Sequence, residues 1–171
     1  AVNTELLPWL NEIDKGWTGI LFLGMGGSAA GGDFISALSD HDGSIPIRCN
    51  RGYDLPNWWT TDWLVVATSY SGNTEETLSA CEQAMSQDGT IVVISSGGVL
   101  SGMCELSDSM YLISCPGGQP PRSAFGHIFS RQLSLLFEIG VLRVEITDEA
   151  LNRLQEAVED SDIISHPEGD V

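Results

Sequence analysis

The stretch WLVVATSYSGNTEET, residues 63–77, runs from an apolar segment through a turn into a helical pattern. A continuous apolar segment of this kind is typical of a parallel strand that is buried on both faces. The turn places Ser69, Ser71 and Thr74 around a single glycine, Gly72. The stretch therefore predicts one strand–turn–helix unit of an α/β protein, with hydroxyl side chains concentrated where the strand ends.

Similar units occur along most of the chain. We predict four further strands, at residues 18–24, 45–50, 90–96 and 110–115. Helical patterns lie at residues 4–13, 24–40, 73–87, 99–107 and 122–140. Strands that alternate with helices indicate βαβ units joined by right-handed crossovers. The expected fold class is therefore α/β, a three-layer α/β/α sandwich around a five-stranded parallel sheet.

The chain is strongly acidic, with 24 acidic against 7 basic residues and a formal net charge of −17. Nucleic acid is an unsuitable partner, because phosphate backbones are bound by clustered Lys and Arg. A site for an anionic ligand must instead use local dipoles and one well-placed cation. No apolar run approaches the ~18–20 residues that cross a bilayer, and we expect a soluble cytoplasmic protein without a membrane partner.

The four cysteines and three histidines lie far apart in the sequence. No pair of them has the spacing of a zinc motif, and each cysteine lies in or beside an apolar run. We therefore expect reduced, mostly buried thiols and no metal site.

The loop GMGGSA, residues 24–29, follows the first predicted strand and matches the pattern G-x-G-x-x-A. That pattern raises a dinucleotide-binding hypothesis, whose acidic partner residue should end the second strand. The second strand ends in residues 49–51 instead, although Arg51 would accommodate a 2′-phosphate. The alternative is that Gly26 and Gly27 allow the backbone to approach a smaller ligand.

The turn after the third strand has two interpretations. Asn73 followed by Glu76 fits a capping box, which predicts a well-capped helix and no further role. That interpretation leaves Ser69 and Ser71 unexplained. Amides at a helix N-terminus form an anion site, and the Ser69, Ser71 and Thr74 hydroxyls would add neutral donors to it. The second interpretation is therefore a phosphate site.

The loop PPRSAFGH, residues 120–127, follows the fifth predicted strand. Pro120 and Pro121 stiffen it, and Arg122 is predicted to start a long helix, where its charge opposes the helix dipole. Arg122 is either a surface residue or a cation directed at a ligand between the loops. His127, one turn later, is either packed against the helix's neighbours or directed at the same cleft.

These three loops resemble the sugar isomerase (SIS) domain superfamily, whose serine-rich phosphosugar loop ends in S-G-N-T-x-E-T. The chain is similar to the bifunctional phosphoglucose/phosphomannose isomerase family in G-M-G-G-S, S-Y-S-G-N-T and P-P-R. The resemblance implies a flavodoxin-like SIS domain over residues 1–145. Residues 146–171 are then expected to form an acidic helical connector to a second SIS domain beyond this chain.

The resemblance also implies an activity. Members of that family interconvert glucose 6-phosphate or mannose 6-phosphate with fructose 6-phosphate through an enediolate, as aldose–ketose isomerases without cofactor or metal. Arg122 would stabilise the enediolate as the catalytic residue of this chain. The implied substrate-binding residues, which hold the phosphate or give backbone access to the sugar, are Gly26, Gly27, Ser28, Ser69, Ser71 and Thr74.

The same resemblance places the general base and the ring-opening histidine in the second SIS domain, so we expect this chain alone to lack them. It also implies a homodimer formed through SIS domains, with a sugar phosphate as substrate. Two other hypotheses remain open: a sugar-phosphate-sensing SIS module without catalysis, and an NADP-dependent oxidoreductase.

Overall fold

The computed structural model describes residues 8–11, 13, 16–120 and 123–142. A short 3-10 helix, Pro8–Asn11, precedes the first strand. The strands are β1 (Gly19–Leu23), β2 (Ile47–Asn50), β3 (Trp63–Thr68), β4 (Ile91–Ser95) and β5 (Met110–Ser114). The helices are α1 (Gly26–Asp42), α2 (Glu75–Ser86), α3 (Gly98–Glu105) and α4 (Phe125–Glu138).

The five strands form one sheet in the order β2-β1-β3-β4-β5, and every neighbouring pair is parallel. The predicted α/β fold with a five-stranded parallel sheet is therefore confirmed. The chain passes from β1 outward to β2 and then returns to the other side of β1, so the strand order reverses between β1 and β3. Ligands of open parallel sheets bind at the carboxyl ends of the strands at such a point.

Two hydrophobic clusters cover the two faces of the sheet. One contains Ile35 of α1 with Ile128 and Leu135 of α4. The other contains Ala80 of α2 and Leu100 of α3. Strand residues contribute alternately to the two clusters, as the two-residue period of a strand requires. Each fully buried Leu or Ile contributes roughly 1.5–3 kcal/mol relative to an exposed one, and this burial holds the three layers together.

The structure corrects one helix boundary. Helix α4 begins at Phe125 rather than at Arg122. A turn precedes it, in which the Ser123 N–H donates to the carbonyl of Pro120 at 2.9 Å. Because the Ser123 N–H bonds to the carbonyl three residues before it, this segment is a turn. The α-helical spacing of four residues is seen after it, where the Ile128 N–H donates to the Ala124 carbonyl at 3.0 Å.

Three sequence predictions lie outside the described residues. These are the position of Arg122, most of the helix at residues 4–13, and the connector at residues 146–171. All four cysteines are free, and no helix among the described residues is long and apolar enough to cross a membrane.

Candidate functional site

The turn that follows β3 is closed by the hydrogen bonds of one buried serine. We refer to residues 69–74 as the β3 turn. The Ser69 hydroxyl accepts a hydrogen bond from the Gly72 N–H at 3.1 Å, and it lies 2.8 Å from the Thr74 hydroxyl. Ser69 is 1% exposed, whereas Thr74 is partly exposed and Ser71 is exposed. Ser69 therefore shapes the turn from beneath, and Ser71 and Thr74 lie at its surface.

The capping-box prediction for Asn73 and Glu76 is wrong. The N-cap residue of α2 is Thr74, and no side chain caps this helix. The Asn73 Oδ1 instead accepts a hydrogen bond from the Val99 N–H, at 3.1 Å, in the first turn of α3. The first turn of α2 therefore carries no side-chain cap, and its amides and the helix dipole can interact with an anion, although Glu75 and Glu76 add negative charge to the same turn.

The β3 turn interlocks with the turn after β4. Gly72 and Gly98 have φ angles of +70° and +73°, which favour glycine. A Cβ atom at Gly72 would lie well inside 3.0 Å of the Gly97 carbonyl oxygen, and one at Gly98 would collide with the Ser71 carbonyl oxygen. The Gly72 carbonyl accepts the Leu100 N–H at 2.9 Å. Protein atoms thus close the N-terminus of α3.

Residues 24–28, which we call the β1 loop, include the first turn of α1 and are open by comparison. A Cβ atom added at Gly26 or Gly27 would meet nothing within 4 Å, and both residues are exposed. Protein packing therefore does not require glycine at Gly27, although Gly26 has a φ angle of +52°. The first turn of α1 has no side-chain cap and no acidic residue. Ser28, in that turn, is partly exposed, and its hydroxyl bonds to no described residue.

The β1 loop and the β3 turn leave neighbouring strands at one edge of the sheet. Leu23, the last residue of β1, pairs with Ala67 of β3. Beneath them lies the side chain of Gln132 of α4, whose amide group donates to the Thr68 hydroxyl and to the Ser28 carbonyl. The structure therefore brings together the predicted substrate-binding residues on either side of the point where the strand order reverses.

Tyr70 connects the β3 turn to the loop after β5, a role that the sequence did not indicate. Its hydroxyl donates to the Pro116 carbonyl at 3.0 Å and accepts the Gln119 N–H at 3.0 Å. The side-chain amide nitrogen of Gln119 lies 3.2 Å from Nε2 of His127. The only local signal was an aromatic residue between two serines. His127, which is partly buried, contacts this loop, and Arg122 lies outside the described residues.

The loop after β2 borders the same edge. Arg51, the residue that would accommodate a 2′-phosphate, forms an ion pair with Asp33 of α1. The Tyr53 hydroxyl lies 3.5 Å from the Glu75 carboxylate in the first turn of α2. The negative charge of Glu76 raises the pKa of Tyr53, so this phenol remains a neutral donor. Arg51 is thus already paired with a carboxylate, which weakens the dinucleotide hypothesis.

Comparison with known proteins identifies relatives over most of the chain. A bifunctional phosphoglucose/phosphomannose isomerase from Caldicellulosiruptor bescii is 37% identical over 150 residues, which is 85% of this chain. Another from Aquifex aeolicus is 37% identical over 144 residues, or 84% of this chain. This chain is a homologue of the bifunctional phosphoglucose/phosphomannose isomerases. It spans less than half of these relatives, 43% of each.

A third relative carries a different name. A D-glucosamine-6-phosphate 4-epimerase from Sulfolobus acidocaldarius is 36% identical over 137 residues, covering 80% of this chain and 41% of the epimerase. No protein-family model matches the sequence.

Among solved structures, tagatose-6-phosphate ketose/aldose isomerase from Escherichia coli matches the present chain with a TM-score of 0.68. The match covers 92% of this chain and 47% of that one. At 20% identity the likeness concerns the fold alone. The predicted SIS fold is confirmed.

Proposed function

We propose that this chain is the phosphosugar-binding domain of an aldose–ketose isomerase. The enzyme interconverts glucose 6-phosphate or mannose 6-phosphate with fructose 6-phosphate. The observation that carries the proposal is the open first turn of α2, which has no side-chain cap. Ser71 and Thr74 lie at the surface of the turn before it. Amides at a helix start, together with neutral hydroxyls, suit a dianion.

The open β1 loop supports the same proposal. The first turn of α1 carries no acidic residue that would repel a phosphate. The hydroxyl of Ser28 in that turn can donate a hydrogen bond to a phosphate without itself carrying a charge. We assign the phosphate to Ser28, Ser71 and Thr74, with Ser69 completing the set by holding Thr74 in place. The empty space above Gly26 and Gly27 then receives the sugar.

The chemistry assigned to Arg122 follows from the family resemblance. A proton leaves C2 of the aldose, and negative charge develops on the oxygens of the enediolate. A proton then returns at C1 while the hydroxyl proton on O2 moves to O1, which gives the ketose. A guanidinium beside those oxygens stabilises the charge. We assign the proton transfer to a general base beyond this chain, in a second SIS domain that residues 146–171 would join to the first.

The names of the relatives also support the substrate class. Phosphoglucose, phosphomannose and D-glucosamine 6-phosphate are all hexose phosphates, although the named reactions differ. A domain that recognises mainly the phosphate is compatible with both reactions, because the groups that transform the sugar then lie elsewhere.

Calorimetric titration of this chain tests the binding proposal. Fructose 6-phosphate should bind and fructose should not, because the phosphate supplies the main contacts. Ser71→Ala should weaken binding roughly three- to tenfold, the equivalent of about one net hydrogen bond. Ser86→Ala is the matched control, because Ser86 ends α2 at the opposite terminus. Equal heats with fructose and fructose 6-phosphate would refute the proposal.

Turnover in the protein that includes the second domain tests the catalytic proposal. Arg122→Ala should lower kcat by roughly 10²–10³-fold, as loss of one stabilising donor does in other enzymes. A protein that binds fructose 6-phosphate but never isomerises it would be a sensing module instead.

A further inference from the structure

Gln132 is a fully buried amide that joins the two sides of the candidate site. Its side chain is 0% exposed. Its amide nitrogen donates to the Thr68 hydroxyl at 3.1 Å and to the Ser28 carbonyl at 3.4 Å. Thr68 immediately precedes Ser69 and the β3 turn, and Ser28 lies in the first turn of α1. The NH2 group of one side-chain amide therefore links the end of β3 to the first turn of α1.

The same side chain carries an uncompensated polar atom. The Gln132 Oε1 is buried without a hydrogen-bond partner among the described residues. It lies against Gly31 of α1, where an added Cβ atom would come well inside 3.0 Å of it. A buried carbonyl without a partner destabilises a fold, because its desolvation is not offset. The unpartnered oxygen therefore offsets part of the stability that the two hydrogen bonds of the amide nitrogen provide.

We propose that Gln132 is a positioning residue that fixes the separation between the β1 loop and the β3 turn. The inference rests on the proposed phosphosugar site, because it assumes that one ligand contacts both loops. A sugar phosphate bound by the β3 turn meets Ser28 only if α1 begins at the correct distance. If the hydroxyls that bind the phosphate are displaced by as little as ~1 Å, binding weakens strongly.

The Gln132→Met variant tests this role, because methionine preserves length and apolar volume but removes both polar atoms. Its melting temperature should change little, since removal of the unpartnered oxygen offsets part of the loss of the two amide hydrogen bonds. Its Kd for fructose 6-phosphate should rise on the order of five- to tenfold. The control is Gln87→Met, the same change at the exposed C-cap of α2, which should alter neither quantity.

A double-mutant cycle with Ser28→Ala separates positioning from general loosening. If Gln132 acts through Ser28, the effect of Gln132→Met on Kd should shrink once the Ser28 hydroxyl is absent. Thr68→Val, which keeps size and removes the acceptor, should raise Kd in the same direction and provides a second variant. Additive effects of Gln132→Met and Ser28→Ala would overturn the inference.

The remaining outcomes are distinct. If the wild type binds no fructose 6-phosphate, the proposed function fails and this inference fails with it. If the wild type binds fructose 6-phosphate and the Gln132→Met and Thr68→Val variants bind it with the same Kd, the inference alone is overturned. A lower melting temperature for Gln132→Met with an unchanged Kd would make Gln132 a purely structural residue and also overturn it.

Discussion

Helices α2 and α3 begin at the same edge of the sheet, each shortly after a buried parallel strand, but their first turns have different neighbours. The first turn of α3 receives the Asn73 side chain and the Gly72 carbonyl as hydrogen-bond acceptors. The first turn of α2 receives no side-chain cap. Two similar strand–helix units thus differ in whether protein atoms already occupy the position that an anion would take.

The difference shows that a missing cap can be informative when the residue expected to supply it lies nearby. Asn73 is one residue before the N-cap of α2, yet it serves the neighbouring helix. A helix start left open beside exposed hydroxyls is available to a ligand, whereas the closed one is a structural joint. Substitutions at the joint should therefore affect stability, and substitutions at the open turn should affect binding.

Gly72→Ala should have the largest effect, because it breaks the joint. The positive φ angle costs an alanine ~1–2 kcal/mol, and the collision with the Gly97 carbonyl adds to that. We expect a total loss of roughly 3 kcal/mol and a melting temperature lower by roughly 10 °C, measured by thermal unfolding.

Gly27→Ala is the matched change on the open side. Its Cβ atom meets no protein atom, so stability should stay the same or rise slightly, while fructose 6-phosphate binding weakens. A stable Gly72→Ala protein would contradict the interlock of the two turns.

Tyr70→Phe tests the extension of the closed side toward the loop after β5. It removes two hydrogen bonds and leaves the Pro116 carbonyl and the Gln119 N–H without their partner. The free energy of unfolding, measured with urea, should fall by about 1–3 kcal/mol. Tyr111→Phe removes a hydroxyl that bonds to no described residue, so this variant should lose much less free energy of unfolding. Equal losses would show that the two hydrogen bonds of the Tyr70 hydroxyl do not stabilise the fold.

Substitutions of Asn73 separate the two helix starts directly. Asn73→Ala removes the acceptor for the Val99 N–H and should cost about 1 kcal/mol of stability. Asn73→Asp retains an acceptor but adds a negative charge beside the open turn. It should keep most of the stability and weaken fructose 6-phosphate binding, with less weakening at high salt. Salt-independent binding by Asn73→Asp would contradict a dianion at this turn.

The thiols on the two helices predict a small pH effect. Burial raises the pKa of Cys81 on α2 above its usual range, and it raises the pKa of Cys104 on α3 from 9.0 to about 11. Above about pH 9 the unfolded chain loses these protons while the folded chain keeps them, so stability falls as pH rises. Urea unfolding between about pH 8 and pH 10.5 should show this decline, and Cys104→Ala should reduce it.

Much of the fold was predictable because the three central strands, β1, β3 and β4, are buried on both faces. Residues of β1, β3 and β4 are buried throughout, apart from Trp63 at the start of β3, and such strands appear in the sequence as unbroken apolar runs. The helix starts were less predictable. Asn73 and Glu76 have the local pattern of a capping box, but the competing donor, the Val99 N–H, is 26 residues away in sequence.

The candidate site was predictable only in part, for a similar reason. Serines and glycines at strand ends are visible locally, and they indicated the β1 loop and the β3 turn. Gln132 looks like any polar residue of an amphipathic helix, since nothing near it in sequence indicates that it reaches Ser28, 104 positions away. Tyr70 is similar, because its partners belong to another loop.

The interlocked glycines have a consequence for the thermodynamics of recognition. Gly72 and Gly98 leave no room for either turn to shift independently, so the conformation of the β3 turn is set before any ligand arrives. Ordering a mobile loop on binding would reduce affinity through lost conformational entropy. Because the β3 turn is already in its final conformation, it avoids this loss, and even a few neutral donors can then bind a phosphate dianion.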